Sequence, residues 1–382
     1  MQFVHSQEQQ LIRSSARGVL AAYTPARLRA AWDAARGYDE ALWQQMSAGL
    51  GWSALAVPER YGGAGLGWVE LCILEEELGR QLVASPFFGT VVLAGALLRE
   101  CADEAQCRAL LPRIAAGSVR IACALAGSDG RPPPEGVALQ LQERDGALQL
   151  QGVADFVIHA DGAELLLVVA RSAPAGELSL ALLPPGPGIT IEPHVMLDLT
   201  RPMARVSFEG VRLERTQLLG AQGSARTGIE RALSLARIAL ASESLGGAEK
   251  VLEMTTEYVK QRVQFGRPIG SFQALKHRLA DMMVAVEAAK SAAWYAACVA
   301  DEGGGELAEA AAIAKSYCCD AFYECAASAI QLHGGIGYTW EHDVHLYFKR
   351  ARATATLLGS PAWQRERLLR ELGLGAAAVP SF

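Results

Sequence analysis

Apolar residues recur at three- and four-residue steps over residues 8–23, 40–50, 69–82 and 89–99, the spacing that gathers them on one face of a helix. Residues 1–120 are therefore expected to form a helical domain. The texture changes at Ile121. Residues 139–142 and 148–151 alternate apolar and polar positions around Arg144, Asp145 and Gly146, the pattern of a β-hairpin. Strand-like runs follow at 165–169, 178–183, 189–191 and 204–208, broken by Pro, Gly and Asp with no helical run between them. Residues 121–225 thus predict an antiparallel β domain. Helical periodicity returns at about 228–261, 272–301 and 307–332, and a last helix opens at Ser360-Pro361, a capping residue before proline at the first helical position. Long helices joined by short breaks imply an antiparallel four-helix bundle over 226–382, with a tail that frays from Gly373. The fold class is α+β, mainly α, in the order helical domain, antiparallel β domain, helical bundle.

At 382 residues and 51 % hydrophobic content the chain can bury sizeable cores. Its formal charge of -6 offers no basic footprint for nucleic acid, so an anionic ligand has to be met by a local cluster. The opening MQFVHSQEQQLIRSSARGVL has neither the basic and apolar regions of a signal peptide nor the look of a transit peptide. No apolar run reaches the ~20 residues of a membrane span. The eight Cys lack CxxC spacing and mostly lie in apolar helical runs, which reads as reduced, buried thiols of a cytoplasmic protein.

Two local patterns suggest binding chemistry. Gly62, Gly63, Gly65 and Gly67 follow an apolar stretch, but a dinucleotide fingerprint needs a strand, a helix and a second strand bearing an acid, and helical runs follow here. A loop shaping a substrate mouth or packing against the next domain fits better, with a plain glycine turn as the alternative. The second is RVQFGRPIGSFQALKHRLAD, from Arg262 to Asp281. It ends one helix, breaks at Gly266, Pro268 and Gly270, and starts another, with Ser271 as the expected cap. A guanidinium beside open helix ends is suited to holding a phosphate. His333, His342, Asp343 and His345 lack the spacing of a metal site, and neither a Gly-x-Ser-x-Gly elbow nor a P-loop occurs.

Arg262, Phe265, Gly266 and Gln273 stand in an order that resembles the loop of flavin-dependent acyl-CoA dehydrogenases. QLHGGIGYTWEHDVHLYFKR (331–350) and VPERYGGAGLG (57–67) resemble that family's later and earlier motifs. The resemblance implies the same three-domain order and FAD as cofactor. It implies that Arg262, Phe265, Phe272 and Gln273 contact the diphosphate and adenine side across a subunit boundary, with Gln331, Gly334 and Gly335 as the matching cradle. Ser128, in Leu125-Ala126-Gly127-Ser128-Asp129, matches a longer loop that serves both flavin and substrate. Phe156-Val157-Ile158 stands where a Trp-Ile-Thr strand aims a hydroxyl at the flavin, and Pro361-Ala362-Trp363 replaces a Thr-x-Gln at the adenine end.

The family's reaction removes a proton from the α-carbon of an acyl-CoA thioester while hydride leaves the β-carbon, and it requires a carboxylate base. By resemblance the base belongs nine residues after Arg350, which is Gly359, and residues 344–365 contain no Asp or Glu. A minority of the family carries it just before the arginine matching Arg237, which is Ala236. Arg237 is then a candidate for the substrate or CoA, or for a structural ion pair. Glu243 shares a helical face with Ala236 about 10 Å along the axis. It is either a displaced base or a buried carboxylate paired with a cation such as Arg267.

TWEHDVHLYFKR, DLTRPMARVSFEGV and ASESLGGAEKVLE resemble subunits that handle bulky, cyclic or sterol-side-chain thioesters. In those proteins two chains commonly assemble and only one carries the glutamate. This implies an acyl-CoA ligand, an electron-transfer flavoprotein or similar acceptor, and a homo- or hetero-tetramer with a glutamate-bearing homologue. Two alternatives stay open: a flavin enzyme of different chemistry or unrecognised base, and a non-catalytic CoA-thioester-binding or structural subunit.

Overall fold

The computed structural model describes residues 5–144, 146–172 and 177–374, so Asp145 of the expected hairpin turn and the tail beyond Leu374 lie outside it. Its helices are α1 (Gln7–Leu20), α2 (Pro25–Trp32), α3 (Glu40–Gln44), α4 (Trp68–Arg80), α5 (Gly95–Cys101), α6 (Glu104–Ala115), α7 (Arg226–Gln261), α8 (Gln273–Glu302), α9 (Leu307–His333), α10 (Val344–Thr356) and α11 (Pro361–Glu371). Its strands are β1 (Ile121–Ala124), β2 (Gln140–Arg144), β3 (Ala147–Ile158), β4 (Leu165–Ser172), β5 (Glu177–Leu183), β6 (Ile189–Pro193), β7 (Met203–Leu213), β8 (Leu218–Leu219), and the short pair β9 (Val263–Gln264) and β10 (Arg267–Pro268). The chain forms two units that interleave in sequence. One holds residues up to Leu20, Cys72–Gln81 and everything from Arg237; the other holds Ala21–Leu71 and Leu82–Ala236.

The second unit centres on a sheet of order β6-β7-β3-β2-β4-β5-β8, with β1 on β4. Leu141, Leu150, Val157, Leu166, Val168, Val206 and Phe208 fill its core, as the period-two alternation predicts. The sheet is mixed rather than antiparallel. β1 and β2 both pair with β4 in parallel, β1 along Leu165–Val168 and β2 at Arg171 and Ser172. They lie end to end along one neighbour, and residues 125–139, with Ser128, are extruded between them. Thr90 ties the helical layer to the first strand: its Oγ1 donates to the Ile121 carbonyl at 3.2 Å and accepts from the Ile121 amide at 3.0 Å.

In the first unit α9 is central, packing against α8, α10 and α11. The long period-3.6 runs appear as α7, α8 and α9. Ser360 caps α11 as the sequence predicts, accepting from the Trp363 amide at 3.3 Å. Ser271 does not cap α8: it sits in a 3₁₀ turn, the capping position is Phe272, and no side chain bonds there. α10 has no expected counterpart, because its buried face includes His345, Arg350 and Thr354 among the apolar residues and so lacks a clean apolar stripe. α4 and α7 cross at glycines. A Cβ on Gly79 would collide with the Glu243 carbonyl, and one on Gly246 with the Glu76 carbonyl. α1 docks through ion pairs to the same helix, Arg13 to Glu76 and Arg17 to Glu77, the latter with Nη2 to Oε1 at 2.6 Å.

Candidate functional site

The stretch after α7 folds as a tight hairpin. Arg267 pairs with Gln264 and Pro268 with Val263, and Phe265 and Gly266 both take left-handed backbone, φ +53° and +73°. Two successive positive φ values define the turn whose twist suits a two-residue hairpin. The Phe265 ring is 88 % exposed and meets Phe272 edge-on at 5.9 Å. Arg262 and Gln273 are exposed as well. With no side chain bonded at the start of α8, its first amides are open to a ligand.

The second motif lies at the end of α9. Gln331, Gly334 and Gly335 are exposed, and a Cβ on either glycine would meet no atom of the described residues within 4 Å. Gly334 has φ +64°, so its glycine is required by backbone conformation. Gly335 has no such requirement, and the space beside it is open among the described residues. The two motifs meet through Tyr258, whose hydroxyl donates to the His333 carbonyl at 3.2 Å. Tyr258 lies one turn before Arg262, whose amide donates to the Tyr258 carbonyl at 2.8 Å. An exposed guanidinium, open helix-end amides and unobstructed glycines form the donor set that a dinucleotide diphosphate requires. FAD fits these residues.

In the other unit, Asp155 fixes the stretch of β3 that carries Phe156, Val157 and Ile158. Its amide donates to the Ala126 carbonyl at 2.8 Å, which brings the Gly127-Ser128 loop beside β3. Its carboxylate takes Arg205 Nη2 at 2.8 Å, His194 Nε2 and the Phe156 amide at 3.1 Å. Hydrogen bonds from Arg205 and His194 outweigh burial and hold the Asp155 carboxyl below its ordinary value. Phe156 bulges outward with φ +56° and lies over His194 at 5.6 Å, while Val157 and Ile158 are buried.

The expected base positions carry no carboxylate. Ala236 is buried. Gly359 has φ +102°, and a Cβ there would stand 2.6 Å from the Trp363 ring and 2.9 Å from Gln364 Nε2. Arg237, fully buried, donates from Nε to the Leu358 carbonyl at 3.0 Å and sets its guanidinium 5.1 Å from the centre of the Trp363 ring. It braces the turn that contains Gly359. Lys315, on α9, donates to the Thr354 carbonyl at 2.9 Å and so holds the end of α10 that leads into this turn.

Glu243 is paired, and its partner is Arg350 rather than Arg267. Arg350 Nε lies 3.2 Å from Glu243 Oε1, and Thr354 Oγ1 donates to the same oxygen at 3.4 Å. Arg267 instead lies over Phe272, 4.1 Å from the ring centre. The pair joins α7 to α10, a helix absent from the expected bundle. Among the described residues no group of three His, Cys, Asp or Glu side chains is arranged to hold a metal, and no helix is long and apolar enough to cross a membrane. All eight cysteines are free thiols.

Comparison with known proteins agrees with this geometry. The family model for the acyl-CoA dehydrogenase N-terminal domain matches residues 6–118, and that for the C-terminal domain matches residues 221–373. The chain is 38 % identical to acyl-CoA dehydrogenase IpdE2 of Mycobacterium tuberculosis, over 96 % of this chain and 98 % of that one. It superposes on a chain of the ChsE4-ChsE5 complex from the same organism with a TM-score of 0.88, at 27 % identity, covering 99 % of this chain and 100 % of that one. The Tcur3481-Tcur3483 steroid ACAD gives a TM-score of 0.85 at 32 % identity, covering 96 % and 98 %. Matched at both ends and aligned nearly end to end with these relatives, the chain belongs to the acyl-CoA dehydrogenase family, whose cofactor is FAD.

Proposed function

We propose that this chain is the base-lacking subunit of a hetero-oligomeric acyl-CoA dehydrogenase acting on bulky, ring-bearing acyl-CoA thioesters. The observation that carries the reading is the backbone at Gly359. Its φ lies in a region that side chains avoid, and the space a Cβ needs is taken by Trp363. The turn is built for glycine and braced by Arg237, with Lys315 holding the end of α10 before it, so the missing carboxylate is a feature of the architecture. Glu243, the candidate acid on α7, is engaged by Arg350. Two relatives are named as two-component assemblies, one of them as a steroid enzyme, which supports a heteromeric partner and a polycyclic substrate.

When bound, FAD accepts the hydride from the β-carbon. The role of this chain is to hold the cofactor. Arg262 forks onto the diphosphate, the first amides of α8 at Gln273 add donors, Gln331 adds its amide, and Gly334 and Gly335 let the backbone come close. Phe265 and Phe272 offer an apolar wall to the adenine side. These residues face away from their own chain, as they must if the flavin they hold lies across a subunit boundary. A carboxylate of the partner's active site would take the proton, and an electron-transfer flavoprotein or a similar acceptor would reoxidise the bound cofactor. Residues 1–120, 121–225 and 226–382 serve as the helical, β and bundle parts of this assembly.

Co-expression with a glutamate-bearing homologue tests the assembly. The expected result is a stable complex in light scattering with more bound flavin per chain than the lone protein. A lone chain that forms a fully flavin-loaded homo-tetramer and gains nothing from the homologue would overturn the heteromeric reading.

A further inference from the structure

His333 and His342 take no part in the chemistry described above, yet they lie at the junction of the two cofactor motifs. The His333 ring stacks on Tyr258, with centroids 4.2 Å apart and planes at 26°, and stands 4.4 Å from the His342 ring. Tyr258 meets His342 edge-on at 6.1 Å. The Tyr258 hydroxyl bonds the His333 carbonyl, and the Tyr258 carbonyl takes the Arg262 amide. His333 itself falls between Gln331 and Gly334. This stack is therefore a physical link between the Arg262 hairpin and the Gln331–Gly335 turn.

Hydrogen bonding fixes the protonation of each ring. His333 Nδ1 lies 2.7 Å from the Ala329 carbonyl, which can only accept, so Nδ1 carries the hydrogen and Nε2 the lone pair. That Nε2 is buried and meets no hydrogen-bond partner among the described residues. His342 Nδ1 accepts from the Val344 amide at 3.2 Å, so its hydrogen is on Nε2. A second proton on His333 would place a buried N–H where no acceptor stands. One on His342 would fall on the atom that caps the first amide of α10. Two charged rings at this separation would also repel.

His342 disfavours a proton on His333, and Asp343 favours one on His342. Tyr258 faces the pair from α7, while His345, the next histidine on α10, is turned against Trp340 at 4.7 Å. Burial is the largest influence on both imidazoles and pushes both below their ordinary value. A group with a depressed folded value leaves the unfolded or opened state holding more protons. The closed stack is therefore favoured at neutral pH and weakened as pH falls below the ordinary imidazole value of about 6.5.

We infer that Tyr258, His333 and His342 form a proton-sensitive clasp, which sets the Arg262 hairpin and the Gln331–Gly335 turn in one register and makes FAD retention depend on both histidines staying neutral. The inference rests on the proposed cofactor role of those two motifs. The three are positioning residues: none is assigned a contact with flavin or substrate. Protonation opens the stack, the motifs lose their common register, and the diphosphate loses part of its donor set.

The test measures retained FAD after gel filtration of the flavin-loaded assembly at pH 7.5 and at pH 5.5, from the ratio of absorbance at 450 and 280 nm. For a single linked proton, affinity falls by up to about tenfold per pH unit below the titration point. Wild type is expected to release FAD at the lower pH. His333→Phe keeps the stacked ring without a titratable group, and His342→Asn keeps an acceptor for the Val344 amide. Each single variant is expected to lose less FAD at pH 5.5 than wild type does, and the double variant His333→Phe with His342→Asn to retain it about equally at the two values, which a merely structural role would not produce. His333→Ala should bind weakly at both. Equal wild-type retention at the two pH values, or an acid loss in the double variant His333→Phe with His342→Asn equal to that of wild type, would overturn the clasp. Failure of the cofactor reading has a different outcome, in which Arg262→Ala leaves flavin content at pH 7.5 unchanged.

Discussion

Arg350 Nε lies 3.2 Å from Glu243 Oε1, with both side chains only 4 % exposed. This contact decides what Glu243 is. A general base must be able to reach a substrate proton, whereas this carboxylate is held by a guanidinium and by the Thr354 hydroxyl inside the helical unit.

Removing one member of a buried pair leaves the other charge without its partner, at a cost of about 3–5 kcal/mol. Glu243→Gln is therefore expected to lower the urea midpoint strongly, and the double change Glu243→Leu with Arg350→Met should recover part of the loss. A Glu243→Gln protein as stable as wild type would mean that the pair contributes little and would reopen the carboxylate's role.

Arg262 is exposed and lies beyond the last turn of α7, so Arg262→Ala should leave the melting temperature unchanged. Loss of a charge-assisted bond to phosphate is worth about 1.5–3 kcal/mol, which corresponds to roughly tenfold or more in FAD affinity. Flavin content after dialysis checks this; undiminished content would remove Arg262 from the cofactor surface.

Gly359→Ala carries two penalties, a side chain at φ +102° and a Cβ 2.6 Å from Trp363. Conformations of this kind cost about 1–3 kcal/mol, and Gly359→Glu adds a carboxylate to the same strain. Thermal melts of both variants are expected to shift downward. A Gly359→Glu protein that melts like wild type would show that the turn accommodates a side chain after all.

Thiol chemistry gives a check on the packing. Burial pushes the Cys101 and Cys325 thiols up to about 12, and raises Cys72, Cys107, Cys123 and Cys318 as well. The thiolate is the reactive form, so at pH 8 these six should react with a chromogenic disulfide reagent only slowly in the native protein. All eight should react promptly in denaturant. Rapid native labelling of Cys318 or Cys325 would contradict the packing of α9.

Much of this architecture was legible in the sequence because it is written in local spacing. α7, α8 and α9 follow from unbroken 3.6-residue periodicity, the Ser360-Pro361 start of α11 from its cap chemistry, and the cofactor family from two motifs at helix ends. What escaped depends on contacts distant in sequence or on polar residues used inside. α10 hides its helical face because His345, Arg350 and Thr354 occupy buried positions. The partner of Glu243 sits 107 residues away, and no spacing rule selects Arg350 over Arg267. The parallel pairings arise because β1 and β2 share one edge of β4, a topological fact with no local pattern. Ser271 looked like a cap, but the chain enters α8 through a 3₁₀ turn that carries its side chain out of register.

The most direct test of the central claim, that this chain holds flavin but lacks the base, is an anaerobic visible titration with a panel of acyl-CoA thioesters, including ring-bearing ones. It is run on the purified chain and on its complex with a glutamate-bearing homologue. The account predicts that the 450 nm band stays unbleached with every thioester for the chain alone and bleaches with at least one for the complex. Bleaching of the lone chain by any thioester would contradict it, because a proton would then have been removed by a residue of this chain.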